Sequence, residues 1–229
     1  MREFYLWRDW KWIIFVRIKS NIILLSSLFY IPMNHQSWKQ LEYRNLKPNT
    51  ISTIKDNGEH LKISVSDSAS PLIYKFEQAK KLKSFHIKAT ILQGNLNFKN
   101  IKQGDKQADD FVLRVGLVAK GNRTLNLWHK ISAPRWISEL YKMAKDGEGI
   151  DKIYFYNVAS DNLNWNERVH PLSELISEKI VGKIVDNKID VKVNLDGQKD
   201  YLGIWISSDG DDTKSKFEIS IDEIQLEEL

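Results

Sequence analysis

The sequence predicts a mostly β fold, an antiparallel β-sandwich of the jelly-roll type with one or two short helices in an insertion. Three observations favour it. Eight or nine short segments alternate apolar with polar residues, which is the period of a strand with one face in water. Turn-forming residues separate these segments, as in sandwiches. Residues 111–119 are apolar on both faces apart from Arg114, which predicts a central strand covered on both sides.

The strands before this central segment are predicted at residues 61–65, 72–76 and 85–91. Apolar residues occupy every second position of the first and third segments, and the second is a short apolar run. The sequence Asp56-Asn57-Gly58, a turn signal, stands just before the first segment. This order predicts strands joined by short turns.

The strands after the central segment are predicted at residues 153–158, 189–195, 202–206 and 217–226. Each of them has apolar residues at alternating positions. Within residues 202–206, Trp205 should point away from the face that its apolar neighbours share.

Two segments of this second half are predicted to be helices. Ser132 at a capping position and an early Pro134 open the first, and Gly147 can end it. Residues 171–181 carry apolar side chains at helical spacing before Gly182, which can end a second helix. Together these segments form the predicted insertion.

Composition and charge exclude several classes of function. The chain has 229 residues and a net charge of +4, of which +3 lies in residues 1–33, with five basic against two acidic side chains. The near-neutral remainder lacks the basic surface that phosphate backbones require, so nucleic-acid binding is not expected. The absence of cysteine excludes disulfides, thiolate metal ligands and a cysteine nucleophile.

Residues 1–37 are predicted to be a leader, either a signal peptide or an N-terminal membrane anchor. Residues 20–33 are uncharged and follow Arg17 and Lys19, the layout of a secretory signal. The run is shorter than the ~20 residues of a spanning helix, and no small-x-small cleavage site follows. Translation from near Val16 and a buried core helix are the alternatives. We expect an exported protein, periplasmic or membrane-anchored, with residues 38–229 as one domain.

Two stretches resemble a known family. They are Asp109-Asp110-Phe111-x-x-Arg114-Val115 and Gly203-Ile-x-Ile206-x-x-Asp209-x-Asp211-Asp212-Thr213. Together they are similar to exported bacterial proteins catalogued as domain of unknown function 3047, over roughly residues 38–226 and least in the middle third. This resemblance implies export and a β-sandwich, and no activity. Residues 217–224 are also similar to the last strand of carbohydrate-binding sandwiches of the galactose-binding type.

An acidic loop is the candidate metal site. Asp209, Asp211 and Asp212 place three carboxylates in four positions, and Asp222 could add a fourth. Hard cations such as Ca²⁺ take several oxygen ligands at once, so a structural Ca²⁺ ion is one interpretation. A solvated hairpin turn is the other, because Asp-Gly is a favoured turn dipeptide.

Arg114 is the one charged residue of an otherwise apolar segment, where an unpaired charge costs several kcal/mol. Asp109, Asp110 and the loop carboxylates are the candidate partners. A buried ion pair that joins two strands is the favoured interpretation, and an arginine that holds an anionic ligand is the alternative.

Aromatic and histidine side chains crowd the least regular part of the chain, and they are Trp128, His129, Trp136, Tyr141, Tyr154, Tyr156, Trp165 and His170. Sugar rings bind against such faces, so Trp128, His129, Trp165 and His170 are candidate ligand-binding residues alongside Arg114. Trp136 has the helical spacing of a core residue.

The function that these residues favour is that of a non-catalytic exported binding domain whose partner is a glycan of the cell envelope. An enzyme that acts on envelope polysaccharide is the alternative, and a structural envelope protein is the second alternative. The chain has no Gly-x-Ser-x-Gly, His-Glu-x-x-His or glycine-rich phosphate motif. A membrane contact is expected only through the N-terminal segment.

Overall fold

The computed structural model describes residues 4–8, 11–18, 21–125, 133–145, 147–161, 163–171 and 173–229, and side chains from residue 27 onward. Its described residues form fourteen strands, one α-helix and one 3₁₀ turn. The elements in chain order are β1 (Phe4–Arg8), β2 (Lys11–Ile18), β3 (Asn21–Tyr30), a 3₁₀ turn (His35–Ser37), β4 (Lys39–Gln40), β5 (Thr50–Lys55), β6 (Glu59–Ser66), β7 (Leu72–Asn95), β8 (Leu113–Gly121), α1 (Arg135–Tyr141), β9 (Gly149–Ala159), β10 (Glu167–Val169), β11 (Ile176–Lys183), β12 (Lys188–Asn194), β13 (Asp200–Ser207) and β14 (Lys216–Glu228).

The strands form two sheets that share β7. Sheet A contains β1, β2, β3, β5, β6, β12 and β14, and sheet B contains β4, β8, β9, β10, β11 and β13. Residues 72–81 of β7 pair with β13 in sheet B, and residues 82–95 pair with β14 in sheet A. The predicted mostly β sandwich with a short helix is therefore confirmed. One pairing, β11 with β9, is parallel.

The long strand β7 replaces two predicted strands. The sequence prediction separated residues 72–76 from residues 85–91 because a polar stretch lies between them. In the structure this stretch continues the strand as it crosses from one sheet to the other, so several of its side chains face solvent. The polar residues between the two predicted strands are therefore exposed positions of one strand and do not form a turn.

The second predicted helix is wrong. Residues 176–183 form β11, which pairs with β9 from Ile176 opposite Ile153 onward. The four-residue spacing of Ile176 and Ile180 suits a helix, but pairing in a sheet overrides it. The first helix is confirmed as α1, preceded by Pro134, while Ser132 lies outside the described residues.

Part of the segment predicted as a leader contacts the body. Its described backbone forms β1, β2 and β3, and β3 pairs with β14. Phe29, Ile31 and Met33 are buried in the main core, and the Ile31 N–H donates to the Ile224 carbonyl at 2.9 Å. Among the described residues, no helix has the length and apolarity to cross a membrane. Export and anchoring stay predictions.

Apolar side chains form two clusters, one on each face of sheet B. The main core lies between the sheets and includes Ile204 and Ile206. The second lies on the outer face of sheet B under α1, and it includes Val118, Leu140 and Trp205. Trp205 therefore points away from its neighbours as predicted. Alternation along β8 places Arg114 on this same outer face.

Candidate functional site

The Arg114 guanidinium is the centre of a buried polar cluster on the outer face of sheet B. Its Nη1 donates to Glu178 Oε1 at 2.6 Å, and its Nη2 donates to Asp209 Oδ2 at 3.0 Å and to the Asp109 carbonyl. The Asp109 carboxylate lies 3.7 Å from Nη2. Arg114 is thus paired with carboxylates from separate segments, which agrees with the favoured interpretation, although Asp110 is not among its partners.

Glu178 is the partner that the sequence prediction missed. Its side chain is fully buried, and its Oε1 accepts a second hydrogen bond from Asn157 Nδ2 at 3.0 Å. Its Oε2 accepts from Arg168 Nε at 2.6 Å. The sequence does not single out Glu178, because its segment has the spacing of a helix. If residues 176–183 are assigned to a strand, Glu178 lies on the same face as Ile176, because side chains two positions apart share a face. A buried carboxylate on that face would need a cation such as Arg114.

Arg168 extends the cluster to β10 and to Trp165. Its Nη2 donates to Asp109 Oδ1 at 2.7 Å, and its Nη1 donates to the Gly104 carbonyl at 2.9 Å. The guanidinium carbon lies 4.0 Å from the centre of the Trp165 ring. A Cβ added at Gly104 would lie 2.6 Å from Trp165 Nε1. Arg168 and the Gly104 backbone therefore cover surfaces of the indole that a sugar would need.

His170 joins the cluster through Asp109. Its Nε2 lies 3.3 Å from Asp109 Oδ2. Burial by itself would raise the pKa of Asp109, but contacts with His170, Arg114 and Arg168 outweigh it and hold the pKa below its usual value. The structure thus brings together Arg114, Trp165 and His170, three of the five predicted ligand-binding residues. The other two, Trp128 and His129, lie outside the described residues.

Asp109, His170 and Glu178 are the one group of metal-ligand type whose ligand atoms all lie within 4.8 Å of one another among the described residues. Two guanidiniums already occupy this group: Arg168 contacts both carboxylates, and Arg114 contacts Glu178. A metal ion there would have to displace them or lie beside them. The arrangement suits an ion-pair network that joins β8, β9, β10 and β11.

The acidic loop is bound to the segment before β8 by reciprocal hydrogen bonds. Asp110 Oδ2 accepts from the Thr213 N–H at 2.7 Å and from the Thr213 hydroxyl at 2.6 Å. The Asp109 N–H donates to Asp212 Oδ2 at 3.3 Å. The two stretches that carry the family resemblance therefore meet in space.

Two carboxyls of this loop are strongly perturbed. Burial, with the neighbouring charges of Asp110, Asp211 and Asp109, raises the pKa of Asp209 to about 8 against the opposing effect of Arg114. Burial and the charge of Asp110 raise the pKa of Asp211 to about 6. Carboxyl groups are therefore crowded and buried at this end of sheet B, and this environment disfavours their ionised forms.

Asp222 contacts a different set of residues. Its Oδ2 accepts from the Thr90 hydroxyl at 2.9 Å, and its Oδ1 accepts from the Ser220 hydroxyl at 2.7 Å. His60 Nδ1 lies 3.3 Å from the same Oδ1. These partners belong to sheet A, so the contacts of Asp222 do not place it with Asp209 in one ligand set.

A pocket of about 150 Å³ lies where the connection from β12 to β13 crosses between the sheets. Its lining residues are aromatic and polar, with few aliphatic side chains. They are Tyr154, Tyr156, Lys179, Val193, Asn194, Leu195, Asp196, Lys199 and Tyr201. We call this set the tyrosine pocket. Tyr154 and Tyr156 belong to the aromatic group that the sequence singled out, whereas Tyr201 was not predicted.

Hydrogen bonds fix the tyrosines of this pocket. The Tyr154 hydroxyl donates to Asp151 Oδ2 at 2.7 Å, and the Tyr156 ring packs edge-on against Phe85 at 5.1 Å. Burial and the hydroxyl of Tyr201 raise the pKa of Tyr156, and burial and Asp196 raise the pKa of Tyr201 to about 12. The hydroxyls therefore stay protonated at neutral pH, and those of Tyr154 and Tyr156 are oriented by the bonds they donate to Asp151 and to Tyr201, while their oxygens can still accept.

No family model matches the chain, and no curated protein matches it. Among solved structures, the chain is similar to a family 11 carbohydrate-binding module from Clostridium thermocellum in complex with a β-1,3-1,4-mixed-linked tetrasaccharide. The TM-score is 0.44 at 10% identity, and the match covers 87% of this chain and 94% of that module. The resemblance to domain of unknown function 3047 has no matching family model and stays a prediction.

Proposed function

We propose that this chain is a non-catalytic exported binding domain and that its ligand is a glycan of the cell envelope, held at the tyrosine pocket. The observation that carries the proposal is the composition of that pocket. Three tyrosines, two lysines, Asn194 and Asp196 surround it. Each sugar hydroxyl both donates and accepts hydrogen bonds, so it can pair with the tyrosine hydroxyls and with the amide, ammonium and carboxylate groups of the pocket. The apolar ring carbons of the sugar can pack against the tyrosine rings.

The size of the pocket limits what enters it. Pockets for drug-sized ligands measure roughly 300–1,000 Å³, and this one measures about 150 Å³. A single ring-sized group is therefore the proposed occupant, and the rest of a longer glycan would lie outside. Export is proposed from the basic and apolar layout of residues 1–37 and from the family resemblance.

The polar cluster around Arg114 gives less support to the enzyme alternative. A glycosidase needs two carboxyl groups that both reach the sugar. Glu178 is fully buried, and both of its oxygens accept from Arg114, Arg168 or Asn157. A purely structural envelope protein would need no concave surface lined by polar and aromatic groups, so the tyrosine pocket favours binding over that alternative as well.

The test is a glycan array with the full chain, followed by calorimetry on any glycan that binds. Tyr201→Phe keeps the buried ring and removes the hydroxyl, and we expect a roughly 3- to 10-fold weaker Kd, the value of about one hydrogen bond. Lys179→Gln should also weaken binding. Tyr30→Phe, at an exposed tyrosine of β3, is the matched control.

Three results would count against the proposal. One is an array on which no glycan binds. Another is a glycan whose Kd is the same for wild type and for both pocket variants. The third is release of shortened products from the bound glycan, which would favour the enzyme.

A further inference from the structure

Carboxylates outnumber cations in the region around Arg114. Six carboxyl groups lie there against four basic side chains, which are Arg114, Arg168, His170 and Lys214. The six acidic residues are Asp109, Asp110, Glu178, Asp209, Asp211 and Asp212. Most of these side chains are buried or half-buried, and buried charge without a counter-charge is costly.

The excess lies on the side of the acidic loop. Asp109 and Glu178 are matched by Arg114, Arg168 and His170. Asp110 is 1% exposed, and its carboxylate accepts hydrogen bonds from neutral donors, the N–H groups of Asp212 and Thr213 and the Thr213 hydroxyl. Neutral donors solvate a carboxylate without cancelling its charge. Lys214 acts electrostatically on Asp211 and Asp212, but its ammonium is itself paired with Asp67 at 2.9 Å. The loop therefore has room for a further positive charge.

Asp209 has a buried carboxylate oxygen that no described residue satisfies. The residue is only 9% exposed, and its Oδ2 is paired with Arg114. Its Oδ1 is buried and has no hydrogen-bond partner among the described residues. A buried carboxylate oxygen without a donor loses its hydration with no replacement. Asp211 and Asp110 act electrostatically on this carboxyl, so it belongs to the same acidic cluster.

We propose that the acidic loop binds one divalent cation of the Ca²⁺ type through Asp209 Oδ1 and the Asp211 carboxylate, with Asp110 supplying further negative charge. Ca²⁺ accepts six to eight oxygen ligands in a flexible geometry, including backbone carbonyls and water. Among the described residues, no three carboxylates of the loop meet within 4.8 Å, so such oxygens complete the shell. Asp222 and the Asp109–His170–Glu178 group take no part.

This composition sets the expected affinity and selectivity. Two carboxylates with backbone and water oxygens make a weak site, so we expect a Kd of roughly 0.1–1 mM, the range of extracellular calcium modules. Mg²⁺ demands octahedral geometry and releases its water reluctantly, so it should bind more weakly. The site is independent of the tyrosine pocket, and failure of one proposal leaves the other standing.

The experiment is thermal unfolding of the full chain in chelator, in 10 mM CaCl₂, in 10 mM MgCl₂, and in NaCl adjusted to the ionic strength of the CaCl₂ solution. Calorimetry measures the stoichiometry. We expect Ca²⁺ to raise the Tm of the wild type by about 3–10 °C. Asp211→Asn should abolish this shift and be at least as stable as wild type in chelator. Asp186→Asn, at an exposed turn with φ of 51°, is the matched control and should keep the shift.

Two outcomes would overturn the proposal. One is a wild-type Tm that is equal in Ca²⁺, chelator and NaCl together with no calorimetric binding. The other is a Ca²⁺ shift that survives in both Asp211→Asn and Asp209→Asn. Calorimetry on the wild type decides the question if a variant fails to fold.

Discussion

Removal of the Glu178 carboxylate should destabilise the protein more than removal of its partner Arg114. Glu178→Met removes the fully buried carboxylate that both guanidiniums share. Arg114 keeps Asp209 and Arg168 keeps an Asp109 contact, but a guanidinium cannot lose its proton to relieve the lost pairing. Removal of one partner of a buried ion pair costs about 3–5 kcal/mol. Arg114→Met leaves Glu178 with Arg168 and Asn157, and Asp209 can take up a proton. We expect about 1–3 kcal/mol there.

The double variant completes a thermodynamic cycle. Glu178→Met with Arg114→Met removes both charges, so its cost should fall below the sum of the single costs by roughly 0.5–3 kcal/mol. Urea unfolding monitored by tryptophan fluorescence measures all four species. Glu167→Met removes a carboxylate that is 64% exposed in its pair with Lys179, and it should change stability by no more than about 1 kcal/mol. Equal costs for Glu178→Met and Glu167→Met, or strict additivity, would refute the reasoning.

Two further predictions concern the N-terminal boundary and the pH dependence. A fragment of residues 38–229 lacks the buried side chains of Phe29, Ile31 and Met33, each of which contributes ~1.5–3 kcal/mol. In parallel urea melts it should therefore be less stable than a fragment of residues 27–229 by several kcal/mol. Equal unfolding midpoints would exclude residues 27–37 from the core. The pKa of Asp209 is raised to about 8 in the folded state, so the folded state holds its proton more tightly than the unfolded state does. The stability that this proton contributes to the folded state is therefore fully present below about pH 4 and is lost as pH rises towards 8. In chelator, Asp209→Asn should make the free energy of unfolding fall less steeply with pH over that range. A variant with the same pH slope as wild type would contradict the prediction.

The alternation of apolar residues determined most of the strands by itself. β6, β12 and β14 were predicted because their buried faces repeat every second residue, which is a local property of the chain. The turn at Asn57 and Gly58, both with positive φ, was predicted for the same kind of reason. The apolar run of β8 likewise indicated a strand covered on both faces.

The structure corrected predictions at two places where long-range pairing competes with local pattern. Residues 176–183 have a spacing that fits a helix or a strand, and only the neighbouring β9 decides for the strand. The polar stretch inside β7 resembles a turn until two sheets are seen to share that strand. Residues 29–33 belong to the predicted leader and have partners in β14 and the core, and the boundary between leader and domain stays a prediction.

The candidate sites were likewise predictable only in part from the sequence. The sequence alone marked Arg114 as a buried charge that needs a carboxylate, because one charge in an apolar strand requires compensation. It could not name Glu178, which lies 64 positions away, because the pairing depends on β8, β9 and β11 lying side by side. The tyrosine pocket depends equally on β9 and β13 meeting the connection that leaves β12. Local composition determines which side chains need partners, and only the tertiary structure decides which partners they have, because those contacts join residues distant in the chain.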